Sequence, residues 1–474
     1  MRTERPRICL YIVCGLPPVI LQSTLTMLLL HPLPVKSQEL FPSNTGQARA
    51  PEAIDIAAER FSAMFHCSER IWPQFRWDEI QVAFISPQSG RALLWNHQTG
   101  TPKSPAPLVV GLPAAQFGPV PPGHFMFAIR AGAKTILVWH RTAQTAADLI
   151  KVAIHETFHQ VAQREMPGCR RGDYYPEDGE ARYVRFELLR SLTEALQNRD
   201  DLALQRAAYW RQLLLAEHPR DVDLTSCLDL REGTAEFVSM IGTSLTERGC
   251  KVTDERLVAE TTRRLRITPD LADKLNKDDD SYRLGLVACL LLEQRGVKGW
   301  RAKASSFGNL MLQLFSDITP LSHVDVDSSL AQRIGERYLK RNAELKPVVE
   351  TLMRRRQSDG FWVIAVPERF MYGAYRANGF IRTDLAGLND IIRGFTAVYR
   401  SSSGYLEIKS QDVVSARVLI GEGIDLKYFF VERTAVQQEK GGLYAIRYEG
   451  VNGRSLRLRP EEVVGFASTW LIVE

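Results

Sequence analysis

Between residues 79 and 140, apolar and polar positions alternate in short bursts. Ile80–Ser86 and Arg91–His97 flank a Pro87-Gln88-Ser89-Gly90 turn, and His124–Arg130 and Lys134–His140 flank a second short turn. A period of two broken by turn residues predicts hairpins. This stretch therefore reads as a small, mostly antiparallel sheet, with the proline- and glycine-rich segment 104–123 as a loop inside it. A helical period over 51–68 precedes it.

From Thr142 the period lengthens to that of helices. The segment 145–166 opens on Thr145 and Asp148, spaced as a capping box, and stops at Pro167-Gly168. Residues 178–198 and 201–217 read as a helical hairpin, and 231–249 as a helix closed by Gly249. Further helices are expected over 253–265, 281–295 and 328–355. From about Gly360 the alternation returns, in runs at 405–410, 416–423, 426–433, 443–450 and 455–460. The class expected is α+β: an N-terminal helix and sheet over 38–140, a helical core over 141–358 and a β-rich region over 359–474. A chain of 474 residues has room for two or three such units.

The first 37 residues stand apart. Arg2, Arg5 and Arg7 precede an apolar run from Ile8 to Leu30, interrupted by Pro17-Pro18. Val35 and Ser37 then suit cleavage before Gln38. The expectation is a signal peptide over 1–37 and a secreted or periplasmic product with no stable membrane span. An uncleaved anchor is the alternative. That segment holds four basic residues and one acid, so the formal charge of +5 falls to +2 after cleavage. A surplus this small is no footprint for nucleic acid, and Arg263–Arg266 and Arg354–Arg356 read as solvated helix faces. Five cysteines remain: Cys67, Cys169, Cys227, Cys250 and Cys289. None forms a C-x-x-C pair. Two disulfides with one thiol left over, or buried free thiols, both fit.

The chemistry concentrates at His155-Glu156-Thr157-Phe158-His159. Residues four apart share a helix face, so His155 and His159 can present two imidazoles to one ion. Glu156, rotated by about 100°, can serve as a base for water at that ion. Such a string arises by chance in a chain of this composition about once in a hundred. Its neighbours are apolar, and two buried histidines with a buried acid need something to satisfy them. A Zn²⁺ site with an open position requires a third protein ligand. The glycine and third histidine of the metzincin pattern are replaced here by Ala162 and Glu165, and a continuing helix would carry Glu165 away. Glu232 and Glu236, again four apart, are the candidates: Glu232 as ligand and Glu236 as acceptor for a ligating imidazole. An acid in the first turn of a helix would equally suit the helix dipole. The remaining histidines, His66, His97, His124, His140, His218 and His323 among them, read as ordinary surface or satisfied residues.

His155-Glu-Thr-Phe-His159 followed by Arg231-Glu-Gly-Thr-Ala-Glu236 resembles the gluzincin class of zinc metallopeptidases. It is also similar to secreted bacterial proteins of that kind whose function is poorly defined. The resemblance spans residues 125–300 at most. It implies zinc on His155, His159 and Glu232, Glu156 as general base, and a peptide or protein substrate. It also implies a sheet before the helix, with 134–140 as the edge strand able to pair with an extended peptide. The 72 residues between His159 and Glu232 exceed the spacing of compact members, so the hairpin 178–217 would be an insertion. For a donor to the tetrahedral intermediate, Tyr282 is the first candidate and Arg231, Tyr174 and Tyr175 are alternatives. Two other readings remain open: a metal-retaining binding or scaffold protein without turnover, and a zinc hydrolase of a non-peptide amide.

Overall fold

The computed structural model describes residues 51–473 apart from 65–66, 74, 76–79, 97–107, 118–124, 131–132, 167, 170, 266–276, 307, 368–369, 372–375, 386–387, 389, 402–403, 419–423 and 462–469. The expected signal peptide, and His66, His97 and His124, lie outside the described residues. The fold is α+β, divided into two compact units.

The first unit joins residues up to 170 with residues 183–327. It opens with α1 (Ala53–Met64) and α2 (Ser68–Ile71). A five-stranded sheet follows: β1 (Gln81–Ser86), β2 (Arg91–Asn96), β3 (Leu108–Pro113), β4 (Phe125–Arg130) and β5 (Ala133–Trp139), in the order β3-β2-β1-β5-β4. Only the β1–β5 pair is parallel, aligned at Val82↔Ile136; the other three pairs are antiparallel. Alternation sets the faces. Ala83, Ile85, Leu137 and Trp139 pack on one side. On the other, Phe84 and Trp95 meet Phe61 of α1 edge-on, with ring centroids 5.7 and 5.2 Å apart.

Two expectations fail here. The segment 104–123 contains strand β3, paired with β2 from Asn96↔Leu108 to Arg91↔Pro113. Its proline is tolerated because β3 lies at the sheet edge, where a missing N–H breaks no ladder. Residues 134–140, expected at the edge, form the interior strand β5, since β4 pairs along its outer side from Phe125↔Val138 to Arg130↔Ala133.

The helices of this unit are α3 (Ala146–Val161), α4 (Gly179–Asn198, of which the unit takes residues 183–198), α5 (Asp201–Glu217), α6 (Pro219–Arg248), α7 (Asp254–Arg264), α8 (Lys277–Gln294), α9 (Trp300–Ser305) and α10 (Leu310–Leu314). Helix α6 begins twelve residues earlier than its apolar pattern shows, because polar Asp221, Asp223 and Ser226 obscure the period. Pro219 starts it at a position that needs no N–H donor. At mid-length α6 crosses α8 with the backbones in contact. A Cβ on Gly233 would stand 2.3 Å from the Gly285 Cα, and one on Gly285 would stand 2.0 Å from the Asp229 carbonyl oxygen. Only glycine fits at either position. A buried cluster locks the same crossing. Arg185 of α4, 1% exposed, donates from both terminal nitrogens to Asp229, and also to Thr225 (3.1 Å) and Ser281 (2.9 Å).

Two disulfides staple the unit, Cys67–Cys250 and Cys169–Cys227, leaving Cys289 buried and free. Complete burial pushes the Cys289 thiol well above its usual pKa.

The second unit joins residues 171–182 with 328–473. It holds β6 (Asp173–Tyr175), α11 (Ser328–Gln357), β7 (Phe361–Pro367), β8 (Gly379–Thr383), β9 (Asp390–Arg400), β10 (Tyr405–Val418), β11 (Ile424–Glu432), β12 (Val436–Gln438), β13 (Tyr444–Tyr448), β14 (Val451–Leu456), β15 (Leu458–Glu461) and β16 (Trp470–Val473) in one sheet. Strand β7 is buried on both faces: Val363 and Ala365 face α11 residues Leu345, Val349 and Leu352, while Ile364 and Val366 face Phe429 and Ile446. This packing puts α11 with the β-rich unit, so the compact units part at 327/328, not at the change of secondary structure near 358. Among the described residues, no helix is long and apolar enough to cross a membrane.

Two outcomes follow. Gly285→Ala forces a methyl into backbone and lowers stability by about 2–3 kcal/mol or more, measured by denaturant unfolding. In a thiol titration of residues 38–474, the native chain reacts at no cysteine. The unreduced, denatured chain reacts at one, and the reduced, denatured chain at five.

Candidate metal centre

Helix α3 is fixed at its start by the expected capping box. The Thr145 hydroxyl accepts from the Asp148 amide (3.2 Å), and Asp148 accepts from the Thr145 amide (2.8 Å). Ten residues on, His155 and His159 lie one above the other, ring centroids 4.7 Å apart. The helix stops at Val161, short of the expected 166, and the Ala162 amide closes it on the Phe158 carbonyl. Glu165 thus leaves the centre because the helix ends, and its side chain is 84% exposed.

Helix α6 packs against α3 where Gly242 makes room for Ile154; a Cβ there would lie 2.7 Å from Ile154 Cδ1. That seating brings mid-helix Glu232 under the two histidines. As the fourteenth of the 30 residues of α6, this acid lies too far from the helix start for the helix-dipole explanation. Glu232 Oε2 lies 3.3 Å from His155 Nε2 and 3.2 Å from His159 Nε2, and the two nitrogens are 3.0 Å apart. All three residues are buried. Glu156, 9% exposed, follows His155 on the same helix.

The hydrogen bonds assign one imidazole. The Gln163 amide nitrogen donates to the Arg231 carbonyl (2.8 Å) and to the Thr234 hydroxyl (2.6 Å), which itself donates to the Leu230 carbonyl (2.7 Å). Gln163 therefore turns its oxygen to His159 Nδ1, 2.5 Å away, which must carry the proton. His159 Nε2 then presents a lone pair toward Glu232. On the other histidine, Glu236 Oε2 stands 3.8 Å from His155 Nδ1, too long for a hydrogen bond, and Lys151 donates to Glu236 Oε1 at 2.6 Å. Glu236 occupies the expected side of His155 but is held by Lys151.

His159 Nε2 and Glu232 Oε2, both acceptors and 3.2 Å apart, repel one another unless a cation, or a proton on His155 Nε2, lies between them. The three separations match the edges of a tetrahedron with metal–ligand bonds of about 2.0 Å, whose edges are about 3.3 Å. Two imidazole nitrogens and one carboxylate oxygen form a donor set suited to zinc, so the residues present fit the ion.

Tyr282 of α8 stacks on His155, centroids 5.6 Å apart and planes within 16°. Of the alternative donors, Arg231 reaches back to the Met166 carbonyl (3.5 Å), while Tyr174 and Tyr175 belong to β6 of the other unit, where Tyr174 donates to Asp384 (3.0 Å). Sequence reasoning missed Gln163, Thr234 and Lys151. The i+4 spacing from His159 to Gln163 was the available signal for the first.

No family model matches this chain, and no curated protein or solved structure matches it.

Gln163→Leu frees His159 to adopt the wrong tautomer. Zinc affinity, measured by competition with a chromophoric chelator, is expected to fall about 10- to 100-fold with the fold retained. Unchanged affinity would remove Gln163 from the site.

Proposed function

We propose that this chain is an exported zinc-dependent peptidase of the gluzincin kind. The observation that carries the reading is the convergence of His155, His159 and Glu232 beside Glu156, on two helices whose packing holds the set together. Zinc, when bound, supplies Lewis acidity that activates water near neutral pH and polarises a carbonyl oxygen.

The chain's own residues do the rest. His159, fixed by Gln163, and His155, walled by Tyr282, keep their ring nitrogens in place with little reorganisation. Glu156 removes the proton from the attacking water as its oxygen bonds to the peptide carbonyl carbon. It then delivers that proton to the leaving nitrogen as the C–N bond breaks. The Tyr282 hydroxyl is the proposed donor to the developing oxyanion. Two disulfides support export, since such bridges persist in oxidising compartments.

Glu156→Gln is expected to retain one zinc per chain while kcat/KM on a peptide library falls about a hundredfold or more. Wild-type hydrolysis should stop with 1,10-phenanthroline and return with zinc. Hydrolysis that survives chelation, or a zinc-loaded wild type that cleaves nothing in the library, would contradict the proposal.

A further inference from the structure

The two histidines of the candidate metal centre are not held alike. His159 Nδ1 is anchored on Gln163 at 2.5 Å. His155 turns its Nε2 toward Glu232 and His159, and among the described residues its Nδ1 makes no hydrogen bond. An imidazole that binds metal through Nε2 carries its proton on Nδ1, and that proton ordinarily goes to a carboxylate, a carbonyl or water. The acid facing it is Glu236, whose Oε2 stands 3.8 Å away.

Lys151 holds Glu236 there. Lys151 lies one turn before His155 on α3, and Glu236 lies one turn after Glu232 on α6, so the two helices meet in two successive rungs. One rung is His155 with Glu232, and the next is Lys151 with Glu236 Oε1 at 2.6 Å. The Lys151 side chain is 37% exposed and that of Glu236 16%, so the pair is partly solvated and adds little to the stability of the fold. Its effect on placement is larger. A displacement of about 1 Å would bring Glu236 Oε2 within hydrogen-bond reach of His155 Nδ1, and the ammonium draws the carboxylate the other way.

We infer that Lys151 is a positioning residue that keeps Glu236 off His155 and so leaves one ligand of the candidate metal centre without its outer hydrogen bond. This rests on the proposed zinc at His155, His159 and Glu232. A hydrogen bond from Nδ1 makes the other ring nitrogen a stronger donor, and outer partners of this kind change metal affinity about 10- to 100-fold. With Glu236 drawn to Lys151, His155 donates more weakly than His159. The centre then holds its ion less tightly than the same three ligands could, and weaker donation leaves the ion a stronger Lewis acid.

The test is the zinc affinity of the purified full chain, measured by chelator competition in the wild type, Lys151→Met, Glu236→Ala and the double variant. Methionine keeps the apolar stem and removes the donor. Lys151→Met is expected to bind zinc more tightly than the wild type, and the gain should be about tenfold larger with Glu236 present than in the Glu236→Ala background. The comparison removes the effect of charge, which both backgrounds share. Lys151→Ala, a second variant without the donor, should behave as Lys151→Met, while Lys151→Arg keeps a donor and should bind like the wild type. Proton NMR of the zinc-loaded chains gives a second readout. Lys151→Met should show one more exchange-protected imidazole N–H than the wild type, lost again in the double variant. The inference is overturned if neither neutral variant binds zinc more tightly, if the gain is as large without Glu236, or if no new imidazole N–H appears. A wild type that takes up no zinc would overturn the metal reading as well, which separates that failure from failure of the inference alone.

Discussion

The close seating of helix α6 between α3 and α8 is the constraint on which the candidate metal centre depends. Glycine in a helix interior costs about 1 kcal/mol relative to alanine, and α6 carries two at its contacts. Gly233 meets Gly285 of α8, and Gly242 receives Ile154 of α3. Without side chains at these points the helices approach closely enough for Glu232 to reach both histidines and for Tyr282 to stack on His155. The glycine beside Glu232 is thus a packing requirement of the site.

Three other ties hold the same arrangement. The buried Arg185–Asp229 pair locks α6 to α4 one turn before Glu232. Breaking such a pair by removing one partner leaves an uncompensated buried charge. Gln163 links His159 to the backbone at Arg231, so candidate ligands on different helices are joined through protein atoms. The Cys169–Cys227 bridge closes a 58-residue separation between the segment after α3 and the start of α6. Loop closure on that scale removes about 4 kcal/mol of chain entropy from the unfolded state. Together these explain how two motifs 72 residues apart in the chain arrive at one point: the α4–α5 hairpin is spanned by covalent and hydrogen-bonded links at its base.

Much of this was legible in the sequence because it rests on local spacing. The i,i+4 pairs, the capping box at Thr145 and the break between α4 and α5 depend on near neighbours. What was not legible depends on burial from more than one side. Strand β7 is covered on both faces, so its residues do not alternate. Strand β3 is tolerated beside prolines because it lies at an edge, which depends on the order of strands. The polar first half of α6 is helical because Arg185 and its partners need Asp229 and Thr225 inside, a tertiary demand with no periodic trace. Glu232 looked like an acid at a helix start for the same reason.

The central claim is that His155, His159 and Glu232 bind one metal ion together. The most direct measurement is the zinc K-edge absorption spectrum of the reconstituted chain beside that of Glu232→Ala. The account predicts a first shell of two imidazoles with light-atom oxygen ligands, and loss of a protein ligand or of the ion itself in the variant. A chain that takes up no zinc, or a shell without imidazole, would contradict it.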